Sequence, residues 1–292
     1  MWVIDQIIEY IRKMLISSVI SKVEGMFDYF NETLVDVSSN AGASPMSWNS
    51  NIYGLVRNIS DNIILPIAAL IITFILCYEL IQMVNEKNNM HDIDTFNFFK
   101  YVFKAGIAVY LLSNTFNFVM AFFDVGASLT NSTLGIVTSS NTLLEIDSST
   151  FIESLNTLAI HELITLILLT SIFKVIFWIL SMGIFVILAI RMVEIYFYIS
   201  LAPVPFATFG NKEWSNIGIN YTKVIFAYAL QGVLIILGFG IYSQLVKTFL
   251  EGIGGGAFDF TKSLGFLIGI SVVLLVSLIK SNSVAKSVLN AH

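Results

Sequence analysis

Lys174 is the residue of this sequence whose surroundings most suggest a role in transport or assembly. It lies in the middle of the apolar stretch 172–176, with Thr170 four residues before it and Ser181 seven residues after it. On a helix these spacings place the three polar side chains on one face. Because a charged side chain at the centre of a membrane helix costs about 2.5–3.5 kcal/mol, we expect this face to point into a helical bundle or a water-filled cavity.

Two roles fit Lys174. A structural lysine would form an internal ion pair or orient its helix, whereas a pathway lysine would line the route of a substrate. The residue types favour the structural role slightly and leave the pathway role open. Glu79, in an earlier apolar stretch, is the best carboxylate partner that the sequence offers.

Four further residues mark contacts along or between helices. Arg191 and Glu194 are three residues apart and can pair on a helix surface. Gly265 and Gly269 form a GxxxG pattern, which allows two helices to approach closely. We predict a local ion pair for the first two residues and helix packing for the glycines, with self-association of the chain as the alternative.

A polar stripe also interrupts the apolar stretch near residue 114. It consists of Ser113, Asn114 and Asn117. In hydrocarbon, side chains of this kind usually hydrogen-bond to neighbouring helices, so we predict contacts between helices for Asn114 and Asn117.

No pattern in the sequence predicts an enzyme, a metal site or a cofactor site. His91, His161 and His292 are scattered, and no P-loop, GxSxG or CxxC pattern occurs. Cys77 lies in an apolar run, where a buried and inert thiol is expected. We therefore predict no catalytic residue, metal or cofactor, and energy for any transport must come from a partner or a gradient.

Composition indicates which elements must position these polar residues. Of the 292 residues, 56% are hydrophobic and 12% are charged, about half the charged fraction of an ordinary soluble domain. The net charge of −5, with no basic run, argues against a surface built to hold nucleic acid. The chain is predicted to be an all-α, polytopic bundle of transmembrane helices.

About five spans are predicted, because a crossing needs about 20 apolar residues. A further apolar stretch, 192–209, contains Pro203 and Pro205, which lack the amide donor that a helix interior uses. We predict that this proline-broken element does not cross the membrane. The spans lie near residues 63–83, 101–123, 163–190, 224–246 and 264–279.

The distribution of charge predicts the orientation. Segment 124–162 has no Lys or Arg and is rich in Ser, Thr and Asn, so it is predicted to be an external loop. The N-terminus is then outside and the C-terminus cytoplasmic. Thr150 and Glu153 form a capping-box pattern, which suggests that the third spanning helix begins well outside the membrane.

The N-terminal segment differs from the spans. Residues 1–37 have apolar positions at helical spacing and predict an amphipathic helix. This helix either lies on the membrane or packs on a partner, or it packs on its own protein. With the loop after it, this helix forms a predicted external segment, 1–50. Residues 51–292 form the predicted transmembrane helical domain.

The stretch 194–214, which ends in Gly210-Asn211-Lys212-Glu213-Trp214, resembles a known family. It is similar to the TrbL-type polytopic inner-membrane subunit of conjugative type IV secretion systems, in the form found on Gram-positive mobile elements. Residues 65–83, 86–96 and 231–232 resemble the same family, so the similarity covers most of 60–245. The family-motif residues carried over are Glu194, Pro203, Pro205, Gly210, Lys212, Glu213 and Trp214.

The resemblance implies a cytoplasmic-membrane subunit at the base of a translocation channel, which helps single-stranded DNA with its attached relaxase to cross. Its implied partners are other type IV secretion subunits, including motor ATPases in separate chains, and further copies of itself. Contact with the transferred DNA–relaxase substrate is expected to be indirect or transient. The alternative is a self-sufficient transporter or channel for a small solute, which would show inverted repeats and several charges facing one cavity.

Overall fold

The described part of the chain is helical and contains no strand, so the predicted all-α fold is confirmed. The computed structural model describes residues 2–85, 95–139, 152–153, 155–251 and 257–291. The helices are α1 (Trp2–Ala41), α2 (Pro45–Trp48), α3 (Ser50–Ile59), α4 (Leu65–Asn85), α5 (Thr95–Ser113), α6 (Thr115–Ser139), α7 (Ile160–Leu201), α8 (Pro203–Ala207), α9 (Ser215–Glu251) and α10 (Ala257–Val288). One π-helical turn, Ser60–Ile64, joins α3 to α4, and one 3-10 turn, Thr208–Gly210, follows α8.

Four helical segments of the described chain are long and apolar enough to cross a membrane. They are Ser50–Asn85, Ile160–Gly210, Ser215–Thr248 and Gly265–Val288. Helices α5 and α6 add a fifth if they count as one bent span. A polytopic helical bundle with about five spans is therefore confirmed by length and composition.

The second predicted span, 101–123, is not one straight helix. The chain bends by 68° between α5 and α6. Near the bend, the side chains of Ser113, Asn114 and Thr115 hydrogen-bond to carbonyls one turn back in their own segment, those of Val109, Tyr110 and Leu111. Such back-bonding competes with the helical ladder and favours bending. Asn114 therefore bonds within its own segment and Asn117 is exposed, and the predicted contacts of both residues with other helices stay predictions.

The break predicted over 192–209 begins ten residues later than expected. Residues 192–201 continue α7, and the interruption comes at Ala202, immediately before the short helix α8. Pro203 occupies the first position of α8, where a missing amide costs least. The prolines therefore end the long helix without preventing helix before them.

The loop predicted over 124–162 is wrong for its first part, because α6 continues to Ser139. Thr130 and Thr138 donate their hydroxyls to the carbonyls of Gly126 and Leu134, so these polar side chains are satisfied inside a helix. Thr150 of the predicted capping box lies outside the described residues. Glu162 performs the capping instead, accepting the Ala159 amide at 2.8 Å at the start of α7.

The described chain divides into two compact units by packing, while the predicted division at residue 50 into an external segment and a transmembrane domain stays a prediction. The first unit consists of 1–41, 131–188 and 234–280, and the second of 42–130, 189–233 and 281–292. Each unit has its own apolar core. Helix α1 therefore belongs with parts of α7, α9 and α10, rather than with the loop after it.

Helix α1 packs on its own protein along most of its length. Val19, Val23 and Met26 are at most 3% exposed and join the core of the first unit. Near the N-terminus of the helix, Ile4 and Ile7 are 61% and 54% exposed. Packing within the chain is therefore confirmed from about residue 16 onward, while contact of this helix with the membrane or with a partner stays a prediction.

Candidate functional site

The second unit contains a polar network centred on Glu79. Lys104 of α5 donates to Glu79 Oε1 at 2.9 Å, and the side-chain amide of Asn211 donates to Glu79 Oε2. The carboxylate therefore links α4, α5 and the segment that follows α8. Glu79 thus has Lys104 and Asn211 as partners within its own unit, and its predicted pairing with Lys174 stays a prediction.

The motif segment 210–214 docks on α4 next to this carboxylate. A side chain at Gly210 would lie 3.2 Å from Ile75 and 3.3 Å from Leu76, so the backbone approaches α4 closely. Asn211 is 1% exposed, and its side-chain oxygen accepts the Glu213 amide at 2.7 Å. The side-chain oxygen of Asn211 thus stabilises the turn, and its side-chain nitrogen hydrogen-bonds the turn to Glu79.

Two further contacts of the segment 210–214 fix its position against α4. Gln82 donates to Glu213 Oε1 at 3.3 Å and to the Tyr78 hydroxyl at 3.0 Å. The centroid of the Trp214 ring lies 6.3 Å from that of the Phe74 ring and 6.5 Å from that of the Tyr78 ring. These aromatic rings are of the kind that gathers at a membrane–water interface.

A polar cavity of about 630 Å³ opens beside this network. Of the titratable side chains that line it, Glu79 is paired with Lys104, while Lys100 and Lys212 are exposed and form no ion pair with any described residue. Its lining therefore carries three lysines against one carboxylate, in a chain whose net charge is −5. An anion is the ligand that such a cavity can hold.

A second polar cluster in the same unit surrounds Tyr228 of α9. The guanidinium of Arg191, 5% exposed, donates to the Tyr228 carbonyl at 3.3 Å. Glu194 accepts from the Tyr228 hydroxyl at 3.0 Å and from Asn282 at 3.4 Å. The ammonium of Lys286 lies 4.8 Å from the centroid of the Tyr228 ring. Arg191 and Glu194 thus meet at one tyrosine, and their direct pairing stays a prediction.

Lys174 lies in the first unit, on the side of α7 that faces α1. Its ammonium is 3.6 Å from the position that a side chain at Gly25 would occupy. Ser181 accepts a hydrogen bond from Thr33 at 3.1 Å, and Thr170 is fully buried with its hydroxyl on the Leu166 carbonyl. Lys174 and Ser181 thus both lie on the side of α7 that faces α1, and Lys174 itself is exposed. The role predicted for Lys174, Thr170 and Ser181 stays a prediction.

Helix α1 runs parallel to the first half of α7. Arg12 donates to the Asn156 carbonyl, just before α7, at 2.9 Å, and Lys22 donates to Ser171. Further along the chain, Thr33 contacts Ser181. The residue numbers of the contacting pairs increase together on both segments, as expected for parallel helices. Residues 22–33 of α1 thus lie beside residues 171–181, inside the third predicted span.

The predicted role of Gly265 and Gly269 in packing within the chain is wrong for the part that the structure describes. A side chain at either position would meet nothing within 4 Å. Close helix approach occurs instead at Gly126, where a side chain would lie 2.5 Å from the Ala229 carbonyl oxygen. Self-association through Gly265 and Gly269 stays a prediction. Cys77, predicted to be buried, is exposed.

Sequence reasoning missed several residues that organise these clusters. Asn211 was part of the quoted motif but received no role, and Lys104, Tyr228 and Asn282 were not singled out. A polar amide immediately after a proline-broken helix could have identified Asn211, because such a turn leaves backbone groups to satisfy. Among the described residues, no group of three His, Cys, Asp or Glu side chains could hold a metal ion.

A chain with several apolar helices of membrane-spanning length, linked by polar clusters, is a polytopic helical membrane protein. Residues 30–203 match the model of the TrbL/VirB6 plasmid conjugal transfer-like protein family, which is more than half of the chain. The chain belongs to this family. Its class is therefore that of a membrane subunit of conjugative transfer through a type IV secretion system.

No curated protein and no solved structure matches the chain. The residues that match the family model, 30–203, also differ from those that carry the resemblance in the sequence, which covers most of 60–245. The match includes Glu194 and Pro203, but stops before Pro205, Gly210, Lys212, Glu213 and Trp214. The network around Glu79 is therefore partly built from residues beyond the matched segment.

Proposed function

We propose that this chain is a channel and scaffold subunit of a conjugative type IV secretion system, which helps the DNA–protein substrate to cross the cytoplasmic membrane. It works as a homo-oligomer with other secretion subunits, and motor ATPases in separate chains supply the energy. Its N-terminus lies outside and its C-terminus in the cytoplasm. Contact with the transferred DNA is indirect or transient.

The observation that carries this proposal is an acidic stripe on α1. Glu24, Asp28, Glu32 and Asp36 recur every four residues and are all exposed. In the same region, α1 lies beside residues 171–181 of α7, within the third predicted span. The stripe therefore lies next to a segment that is apolar enough to be in the membrane.

Lipid is a poor environment for this stripe. At about 2.5–3.5 kcal/mol for each charged side chain, four would cost roughly 10–14 kcal/mol, comparable to the whole stability of an ordinary domain. Within the described chain, no ion pair joins Lys22 or Lys174 to the stripe. The face must then meet water or another chain, and an assembly around a water-filled passage provides both.

An acidic wall also suits the cargo of such a passage. DNA carries a dense negative charge, and its non-specific adhesion to proteins comes from lysine and arginine. A surface of glutamate and aspartate does not retain it. The alternative of a self-sufficient solute transporter is less well supported, because the acidic residues of α1 lie on an open face instead of around one enclosed site.

Accessibility of the stripe tests the proposal. In a background with Cys77→Ser, Asp28→Cys should react with a membrane-impermeant thiol reagent, or cross-link between copies, in cells that carry the whole secretion system. The matched control is Ile172→Cys, because Ile172 is 58% exposed on α7 and apolar, as a lipid-facing residue should be. It should stay unlabelled.

Deletion of the chain, with complementation, measures its role in transfer. We expect conjugation to stop on deletion and to return with the wild-type chain. Equal labelling of both cysteine positions, or transport of a small solute by purified monomer in liposomes without partners, would contradict the proposal.

A further inference from the structure

The cavity beside Glu79 continues into an apolar groove. Lys100 lines the polar cavity, and it also lines a concavity of about 480 Å³ whose other walls are Phe96, Phe99 and Phe103. These three phenylalanines on α5 are 73%, 74% and 71% exposed. A cationic cavity and an aromatic groove thus meet at one lysine.

We infer that this combined site binds an anionic phospholipid, with its phosphate on Lys100 and Lys212 and its acyl chains along Phe96, Phe99 and Phe103. The two halves of the site match the two halves of such a molecule. Lysine ammonium groups bind phosphate oxygens by charge-assisted hydrogen bonds, and basic pockets between membrane helices suit anionic headgroups.

Two of the three lysines that line the cavity are available to bind a ligand. Lys104 is paired with Glu79 at 2.9 Å, so its charge is largely used within the protein. Lys100 and Lys212 have exposed side chains with no ion pair among the described residues. Ser215, the first residue of α9, also lines the cavity, so the positive end of that helix dipole lies near the bound anion.

The surroundings favour a lipid over nucleic acid. Trp214, Phe74 and Tyr78 form an aromatic group against α4, as expected near the headgroup level of a bilayer. Single-stranded DNA would instead need a longer basic track with aromatic rings spaced to stack bases. Here the phenylalanines lie together on one helix, next to one lysine.

The test measures binding of a fluorescent short-chain phosphatidylglycerol to the detergent-purified full-length chain. The double variant Lys100→Gln/Lys212→Gln should weaken its affinity roughly thirty-fold, at about fivefold for each lysine near an anionic headgroup. Lys104 is left unchanged, because its removal would also disturb Glu79. Lys280→Gln, an exposed lysine outside the cavity, is the matched control and should keep wild-type affinity.

Two further arms identify the ligand. Phe99→Ala should weaken phosphatidylglycerol binding about tenfold, through lost apolar contact, and leave the weak binding of inorganic phosphate unchanged. Leu70→Ala, at a residue 74% exposed outside the groove, is its control. Phosphatidylcholine should bind less tightly than phosphatidylglycerol to the wild-type chain.

Each contrary result overturns the inference. Wild-type affinity in the double variant would show that these lysines hold no headgroup. Equal binding of phosphatidylcholine would show that charge is not recognised. Binding of a single-stranded oligonucleotide that is lost in the double variant but indifferent to Phe99→Ala would assign the cavity to nucleic acid instead. Unchanged unfolding temperatures of the variants establish that lost binding is not lost folding.

Discussion

Replacing Glu79 by Gln should destabilise the second unit more than the loss of an exposed ion pair would. Glu79 and Lys104 are 23% and 38% exposed, between a surface pair and a buried one. Exposed pairs contribute about 0.2–1 kcal/mol, and breaking a fully buried pair costs about 3–5 kcal/mol. The Asn211 amide adds a hydrogen bond to a charged acceptor. We expect a loss of about 2 kcal/mol for Glu79→Gln.

The measurement is thermal unfolding of the purified chain in a mild detergent. About 2 kcal/mol corresponds to a fall of roughly 4–8 °C in the unfolding temperature at this chain length. The matched control is Glu9→Gln, which breaks the pair of Glu9 with Lys13, whose side chains are 66% and 74% exposed. That variant should change stability by less than about 0.5 kcal/mol.

A double-mutant cycle isolates the ion pair itself. Lys104→Met should destabilise the chain alone, but should add little in the presence of Glu79→Gln, because the two residues share one interaction. Equal effects of Glu79→Gln and Glu9→Gln would refute the reasoning, as would full additivity of the Glu79 and Lys104 substitutions. Either result would mean that the network contributes no more than a solvated surface pair.

Three further predictions concern topology, Lys174 and helix packing. In a cysteine-free background, an impermeant thiol reagent on intact cells should label a cysteine at Ser139 and not one at Asn216; labelling at Asn216 would contradict the five-span topology. Lys174→Met should preserve membrane abundance, whereas Lys174→Glu should lower abundance or transfer by repelling the acidic stripe of α1; unchanged abundance, oligomer size and transfer in both variants would leave Lys174 without a role. Gly126→Ala should lower the free energy of unfolding by about 1–3 kcal/mol through overpacking, whereas Gly265→Ala, in open space, should be neutral or slightly stabilising; a stability loss in both would contradict the packing seen at Gly126.

The predicted membrane segments agree with the structure better than the predicted breaks between them. Hydropathy is summed over about 20 residues, so single polar side chains change it little. The positions of breaks depend on single residues such as Asn114 and Pro203. Their effect is decided by the backbone carbonyls that they can reach, which the linear pattern does not contain.

The polar residues show the same limit. The sequence placed Glu79 in an apolar span and Asn211 in the motif segment, but it did not indicate that Lys104 and Asn211 are partners of Glu79. Helical spacing specifies which residues share a face of one helix. It does not specify which face of another helix lies opposite, and this decides that Lys104 of α5 reaches the carboxylate.

The sequence by itself determined that this protein is a helical membrane protein of the TrbL/VirB6-like family, because hydropathy and motif content are properties of contiguous residues. Only the tertiary structure decided that α1 lies beside α7 with its acidic stripe exposed, and that Gly126 and not Gly265 supports close packing. It also decided that Lys100 and Lys212, which form no ion pair with any described residue, line a cavity that meets a groove of phenylalanines at Lys100. These features depend on distances between segments far apart in the chain. Such distances follow from the packing of whole helices, which no local pattern encodes.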